Sequence, residues 1–314
     1  MFRKLMRLFD RSGIIRDGSE VVSAVGAIRK MGLSSRSILI HACDGNQYVL
    51  KTAAGSTCAE SSFREALGSE LATLVGLPIP RWKPICVSES FMESSAHLWP
   101  QGNTEARCNP SSGYYFGSER VGGGANERLY DYLPHSWMNR IANRADFIGM
   151  LLLGSWANTA NHRQVVFVHD IASSKVRAVF IGHGAMFSSL MTTLLHPAEG
   201  RYSDRRIYDD CWSEETFTCW KEKIVSITQS SLRRLFFRIP DQWQNGYRQD
   251  QLVSCLLARQ AAFRKLSFRD FDLSLRGMRE KPSTTLYVDI AQRVGSLPHS
   301  SNCISLSAES VQIV

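Results

Sequence analysis

Apolar and polar positions alternate with a short period in the first third of the chain and a long one later. Ser37 to Ala42 is an apolar run of strand length, Asp44-Gly45 supplies a hairpin turn, and Gln47 to Lys51 returns antiparallel. Phe63, Leu67, Leu71, Leu74 and Val75 then recur at helical spacing, and Gly76, Pro78 and Pro80 stop that helix. Glu70 lies nearly two turns after Phe63, so it falls on the same inward face. An inward carboxylate needs a cation, and Lys51, the last residue of the second strand, is the natural candidate. Residues 94–113 are rich in Ser, Gly, Asn and Pro and predict a loop, and Gly122-Gly123-Gly124 marks a second flexible point without the spacing of a dinucleotide fingerprint. From Asp146 to Trp156 the chain predicts a buried helix, followed by a polar loop, 157–164. Val165 to Val168 and Val176 to Ile181 predict strands about a turn at Asp170 to Ser174, and the second ends at Gly182-His183-Gly184. Helices are expected over 214–229 and 248–266, and a loose Ser-rich tail after about residue 285.

Residues 2–16 carry Phe2, Leu5, Met6 and Phe9 on one face and Arg3, Lys4, Arg7 and Arg11 elsewhere. That is a short basic amphipathic helix, favoured as a helix docked on the domain or frayed over one resting on an anionic membrane. Composition narrows the class further. With 314 residues, 44% apolar and 21% charged, the chain suits one large or two medium globular units. Its apolar runs are too short to span a bilayer, and its start lacks the apolar stretch of a secretory signal. The eight cysteines show no C-x-x-C spacing, which disfavours a metal centre or disulfide framework and predicts reduced thiols in a cytoplasmic setting. The net charge of +8 suits a nucleotide or another anion, but it is spread along the chain.

A lysine ending a strand and a glutamate in the following helix are the two halves of an ion pair that holds ATP phosphates in kinase-like folds. Together with the later order of helix, polar loop, hairpin and His-Gly loop, the chain resembles the HipA-like kinases, in the compact branch without the extra N-terminal subdomain. The resemblance runs from about Gly32 to Leu266. It is carried by Tyr48-Val49-Leu50-Lys51, Glu70-Leu71-Ala72, Gly76-Leu77-Pro78-Ile79-Pro80, Gly113-Tyr114-Tyr115-Phe116-Gly117 and Leu129-Tyr130-Asp131-Tyr132-Leu133-Pro134. Asn143-Arg144-Ala145-Asp146-Phe147, Trp156 with Gln164-Val165-Val166-Phe167, Ile181-Gly182-His183-Gly184-Ala185-Met186-Phe187 and Ile239-Pro240-Asp241-Gln242-Trp243 complete it.

The resemblance implies an α+β, bilobal, protein-kinase-like fold with a small antiparallel-sheet N-lobe, a mostly helical C-lobe, and ATP and magnesium as cofactors. The expected organisation is a basic segment 1–30, an N-lobe 31–93, an inter-lobe loop region 94–118, a C-lobe 119–270 and a flexible tail 271–314. Lys51, Glu70 and the polar loop Ser34-Ser35-Arg36 would meet nucleotide. The catalytic aspartate position falls on Asn161, beside His162 and Arg163, while Thr159 or Asn158 takes the place of the family's asparagine. The metal aspartate is replaced by Gly182, leaving Gln164 as a weak neutral ligand, and Ser69 stands where an asparagine usually precedes the helix glutamate. An amide cannot accept a proton, and a glycine offers magnesium no side-chain oxygen. The expected function is therefore a degenerate (pseudo)kinase with weak nucleotide binding. One alternative is an active kinase using His162, His183 or Asp170 in relocated roles. Another is a basic protein associated with nucleic acid, resting on charge alone. Besides nucleotide, a protein partner or substrate is expected without being named by the sequence.

Overall fold

The computed structural model describes residues 20–31, 37–52, 58–99, 111–159, 164–187, 195, 200–244 and 249–276. The predicted N-terminal helix, the Ser34-Ser35-Arg36 loop, Asn161, His162, Arg163 and the tail beyond 276 lie outside these residues.

The first sheet is a closed barrel of five strands: β1 (Val22–Lys30), β2 (Ser37–Ala42), β3 (Gln47–Lys51), β4 (Trp82–Val87) and β5 (Gly113–Glu119), in the order β1-β2-β3-β5-β4. The β2–β3 hairpin forms as predicted, with Ser37 opposite Lys51 and His41 opposite Gln47. The expected small antiparallel sheet needs correction, because β1 closes the barrel on β4 in parallel, through Val22 and Ser23 opposite Ile85 and Cys86. Closure gives every strand two neighbours and leaves no bare edge. It also moves the expected boundaries. Residues 22–30, placed in a separate basic segment, are a barrel strand, and residues 113–118, placed in a connecting loop, belong to β5. The barrel interior is filled by Val22, Ile38, Ile40, Tyr48, Leu50, Ile85, Val87 and Tyr115, one apolar core in its own right.

Helix α1 (Cys58–Leu74) joins β3 to β4, and the short α2 (Glu89–Ser94) follows β4. α1 is buried from Ser62 to Ala72 except at Arg64, which makes it the element shared by the barrel and the rest of the chain. A second core gathers α1, the helix α3 (Asp146–Trp156), and an antiparallel sheet of β6 (Glu127–Tyr130), β7 (Gln164–Asp170) and β8 (Lys175–Ile181). α3 has the predicted bounds and is buried along its length from Phe147 to Trp156. The helix predicted over 214–229 is α4 (Glu214–Val225), which ends earlier than expected, and an unpredicted helix, α5 (Gln229–Phe236), follows it. The break has a local cause: the Thr228 hydroxyl accepts from the Ser231 N–H at 3.1 Å and starts a new helix. α6 (Gln249–Phe263) and α7 (Phe268–Arg276) complete the core. Phe271 and Leu275 of α7 are buried, so the helical core continues past the expected limit at 270. No helix among the described residues is long and apolar enough to cross a membrane.

Candidate functional site

Three pieces of chain meet below the barrel: the inner face of α1, the turn that ends α3, and the loop that leaves β8. The end of α3 follows from its residues. Asn158 takes a left-handed conformation (φ 53°), which an asparagine tolerates, and the Thr159 N–H reaches back to Gly154 O at 3.0 Å, the closing bond of a Schellman turn. The last carbonyls of α3 would otherwise lack donors. Arg259 of α6, fully buried, supplies them: its Nε donates to Trp156 O at 2.7 Å and its Nη2 to Ser155 O at 2.9 Å. A cation at that end also suits the helix dipole. The asparagine that the resemblance associates with chemistry thus has a structural task as the helix stop.

The loop after β8 is tied to that turn, with the Phe187 N–H donating to Ala157 O at 3.0 Å and the Met186 N–H to His183 O at 2.9 Å. It is tied equally to α1. Glu65 is 6% exposed, and its Oε2 accepts from the His183 N–H at 2.7 Å. One turn further, Gly68 lets the loop approach: a Cβ there would stand 2.5 Å from the Cβ of His183. Glu65 and Gly68 are i, i+3 neighbours, so one face of α1 is built to receive this loop.

Glu70 lies 7% exposed, inward as its place in the apolar stripe predicts, but Lys51 is not its cation. Its Oε2 accepts from Arg238 Nη1 at 3.1 Å and its Oε1 from Trp82 Nε1 at 3.0 Å. No ion pair among the described residues joins Lys51 to Glu70 or to Glu65. Five positions separate Glu65 from Glu70, about 140° around the helix, so the two carboxylates serve different neighbours. Glu70 fastens α1 to β4 and to the chain after α5; Glu65 addresses the loop. Sequence reasoning missed Glu65 because the apolar stripe drew attention to the opposite face. The paired signal was a carboxylate followed three residues later by a glycine within a strong helix.

Gly182 and Gln164 face one another across the β7–β8 ladder, where Gln164 pairs with Ile181. Gly182 has φ 71°, and a Cβ on it would lie 2.6 Å from Gln164 Oε1. The glutamine amide therefore occupies the space in which a side chain at 182 would begin. Magnesium is poorly served: Gly182 brings no donor, Glu65 is engaged by the loop backbone, and no trio of His, Cys, Asp or Glu fit to hold a metal occurs among the described residues. Asp170 cannot deputise. It sits at the opposite end of β7 from Gln164, about 20 Å away at strand rise, with its carboxylate bound to the Ala172 N–H and the Ser173 hydroxyl. Those two bonds hold its pKa below the ordinary range.

Elsewhere, the Asn143 side chain exchanges bonds with both backbone groups of Ala178, at 2.8 and 3.0 Å, and donates to Asp146 at 2.9 Å. Burial raises the Asp146 pKa, partly offset by Asn143. This motif fixes the start of α3 on β8.

No protein-family model and no curated protein matches the sequence. Among solved structures, the chain is similar to the Golgi casein kinase with Mn/ADP bound, at TM-score 0.46 and 10% identity over 88% of this chain and 77% of that one. A second structure of the Golgi casein kinase gives 0.43 and 9% identity over 88% and 75%. The proinflammatory kinase CtkA of Helicobacter pylori gives 0.41 and 8% identity over 83% and 100%. At such scores and identities the function has to be argued from the chain's own residues.

Proposed function

We propose that this chain is a two-lobed, kinase-like protein that binds nucleotide weakly and does not transfer phosphate. The barrel with α1 forms one lobe, and the second sheet with α3 to α7 the other. The order of strand lysine, buried helix carboxylate, helix, polar loop and hairpin-borne loop supports the kinase-like part of the reading. One observation carries the loss of transfer: at the foot of β8 a left-handed glycine, Gly182, has the place of its side chain taken by the amide of Gln164. A glycine offers magnesium no side-chain oxygen, and the neutral amide beside it is a weak ligand. Lys51 at the end of β3 remains available for phosphate, and Glu65, rather than Glu70, is the helix carboxylate on the cleft side. An ATP titration followed by thermal melting tests this. A small stabilisation of equal size with and without magnesium, lost in Lys51→Ala, is expected. A shift that appears only with magnesium contradicts it.

A further inference from the structure

The loop that leaves β8 holds a left-handed phenylalanine. Phe187 has φ 63° and is 4% exposed. A bulky side chain is disfavoured there, because its Cβ crowds the following carbonyl, so the surroundings must hold it in place. They do so from both ends of a short strap, residues 183–187. At one end the Phe187 N–H donates to Ala157 O in the α3 turn at 3.0 Å. At the other the His183 N–H donates to Glu65 Oε2 of α1 at 2.7 Å. Between them the Met186 N–H closes back on His183 O at 2.9 Å, which makes the strap a single turn. Its seat on α1 is close throughout. A Cβ on Gly68 would lie 2.5 Å from His183 Cβ and 2.8 Å from Met186 Sδ, and one on Gly184 would lie 2.9 Å from Glu65 Oε1.

His183 and Phe187 are thus fastened to different helices through one turn that carries strain at its far end. The bond to the Glu65 carboxylate is the only charge-assisted one of the three, and hence the strongest. We propose that residues 183–187 form a two-state strap between α1 and the α3 turn, latched by Glu65 and biased toward release by the strain at Phe187. Release lets Phe187 leave its left-handed conformation and breaks both ties in one step. The strap does not rest on nucleotide binding in the cleft.

Hydrogen exchange of the backbone amides of the full chain, resolved by residue, tests it. In the unaltered chain the His183, Met186 and Phe187 amides should share one protection factor, lower than those of Leu71 in α1 and Leu152 in α3. Glu65→Gln keeps an oxygen acceptor but loses the charge, and should lower the protection of all three strap amides together by about tenfold, the difference between a charged and a neutral acceptor. Gly68→Ala crowds His183 and Met186 without touching Glu65 and should lower the same three amides together, so it carries the test should Glu65→Gln fail to fold. Glu70→Ala is the control: Glu70 holds Trp82 and Arg238 whether the strap is closed or open, so this variant should lower Leu71 and Leu152 and leave the strap amides unchanged. Strap amides as protected as Leu152 in the unaltered chain, loss at His183 with Phe187 unmoved, or equal loss in Glu70→Ala overturns the proposal.

Discussion

Putting an aspartate back at Gly182 is the obvious way to restore a metal ligand, and the backbone opposes it. A φ of 71° costs an L-residue about 1–2 kcal/mol, and the Gln164 amide must also be displaced. Gly182→Asp should therefore lower the unfolding free energy by about 1–3 kcal/mol, measured by denaturant melts. Joined with Asn161→Asp it should yield no ATP turnover. Glu70 makes a contrasting case. Glu70→Ala leaves the Trp82 indole N–H without its acceptor and Arg238 without its partner, at about 1–3 kcal/mol, yet should not alter ATP affinity. Thr159→Val removes a hydroxyl that has no partner among the described residues, and it should raise stability by about 1 kcal/mol, measured by denaturant melts. At this scale the sequence showed that Glu70 is inward, because burial follows from periodicity. It did not show which cation Glu70 meets, because Arg238 arrives from 168 residues away.

Among the elements, those with a clean period were legible: the β2–β3 hairpin, α1, α3, and the β7–β8 hairpin. β1 and β4 were not. β1 is interrupted by bulges around Val25 and Ile28, which spoil its alternation, and β4 carries Pro84. Capping explains why a new helix, α5, starts after Thr228. Thr228→Ala removes the acceptor of the Ser231 N–H and should cost about 1 kcal/mol, checked by thermal melting. The β2–β3 turn has its own pH signature. Burial raises the Asp44 carboxyl, but bonds from the Tyr48 hydroxyl, the Asn46 N–H and Lys83 outweigh that and bring it to about 2. A lowered pKa stabilises the fold fully above the ordinary value of 3.8, and the benefit is lost as pH falls toward about 2. After allowance for solvent screening it amounts to about 1–2 kcal/mol, so Asp44→Asn should flatten the stability profile between pH about 4 and 2.

For the whole molecule, the joint between barrel and helices rests on few side chains. Trp82 stacks on Phe116 at 5.6 Å and meets Trp243 at 6.2 Å, while the Trp243 indole donates to Tyr114 O at 3.3 Å. Glu70 and Arg238 lie beside them. The segment Ile239 to Trp243, noted in the sequence only for its resemblance, turns out to be the clasp on the barrel. Such joints are hard to read from sequence, since each partner looks like an ordinary core residue until the fold brings them together. The loop that leaves β8 follows its predicted hairpin, but its chemistry depended on φ at Gly182 and on the reach of Gln164. The central claim is that this arrangement does not transfer phosphate. Incubation of the purified chain with γ-labelled ATP and magnesium, alone and with a generic acceptor protein, tests it most directly. The account predicts no label on either protein above that of Lys51→Ala. Label on the chain or the acceptor that disappears in Lys51→Ala would contradict it.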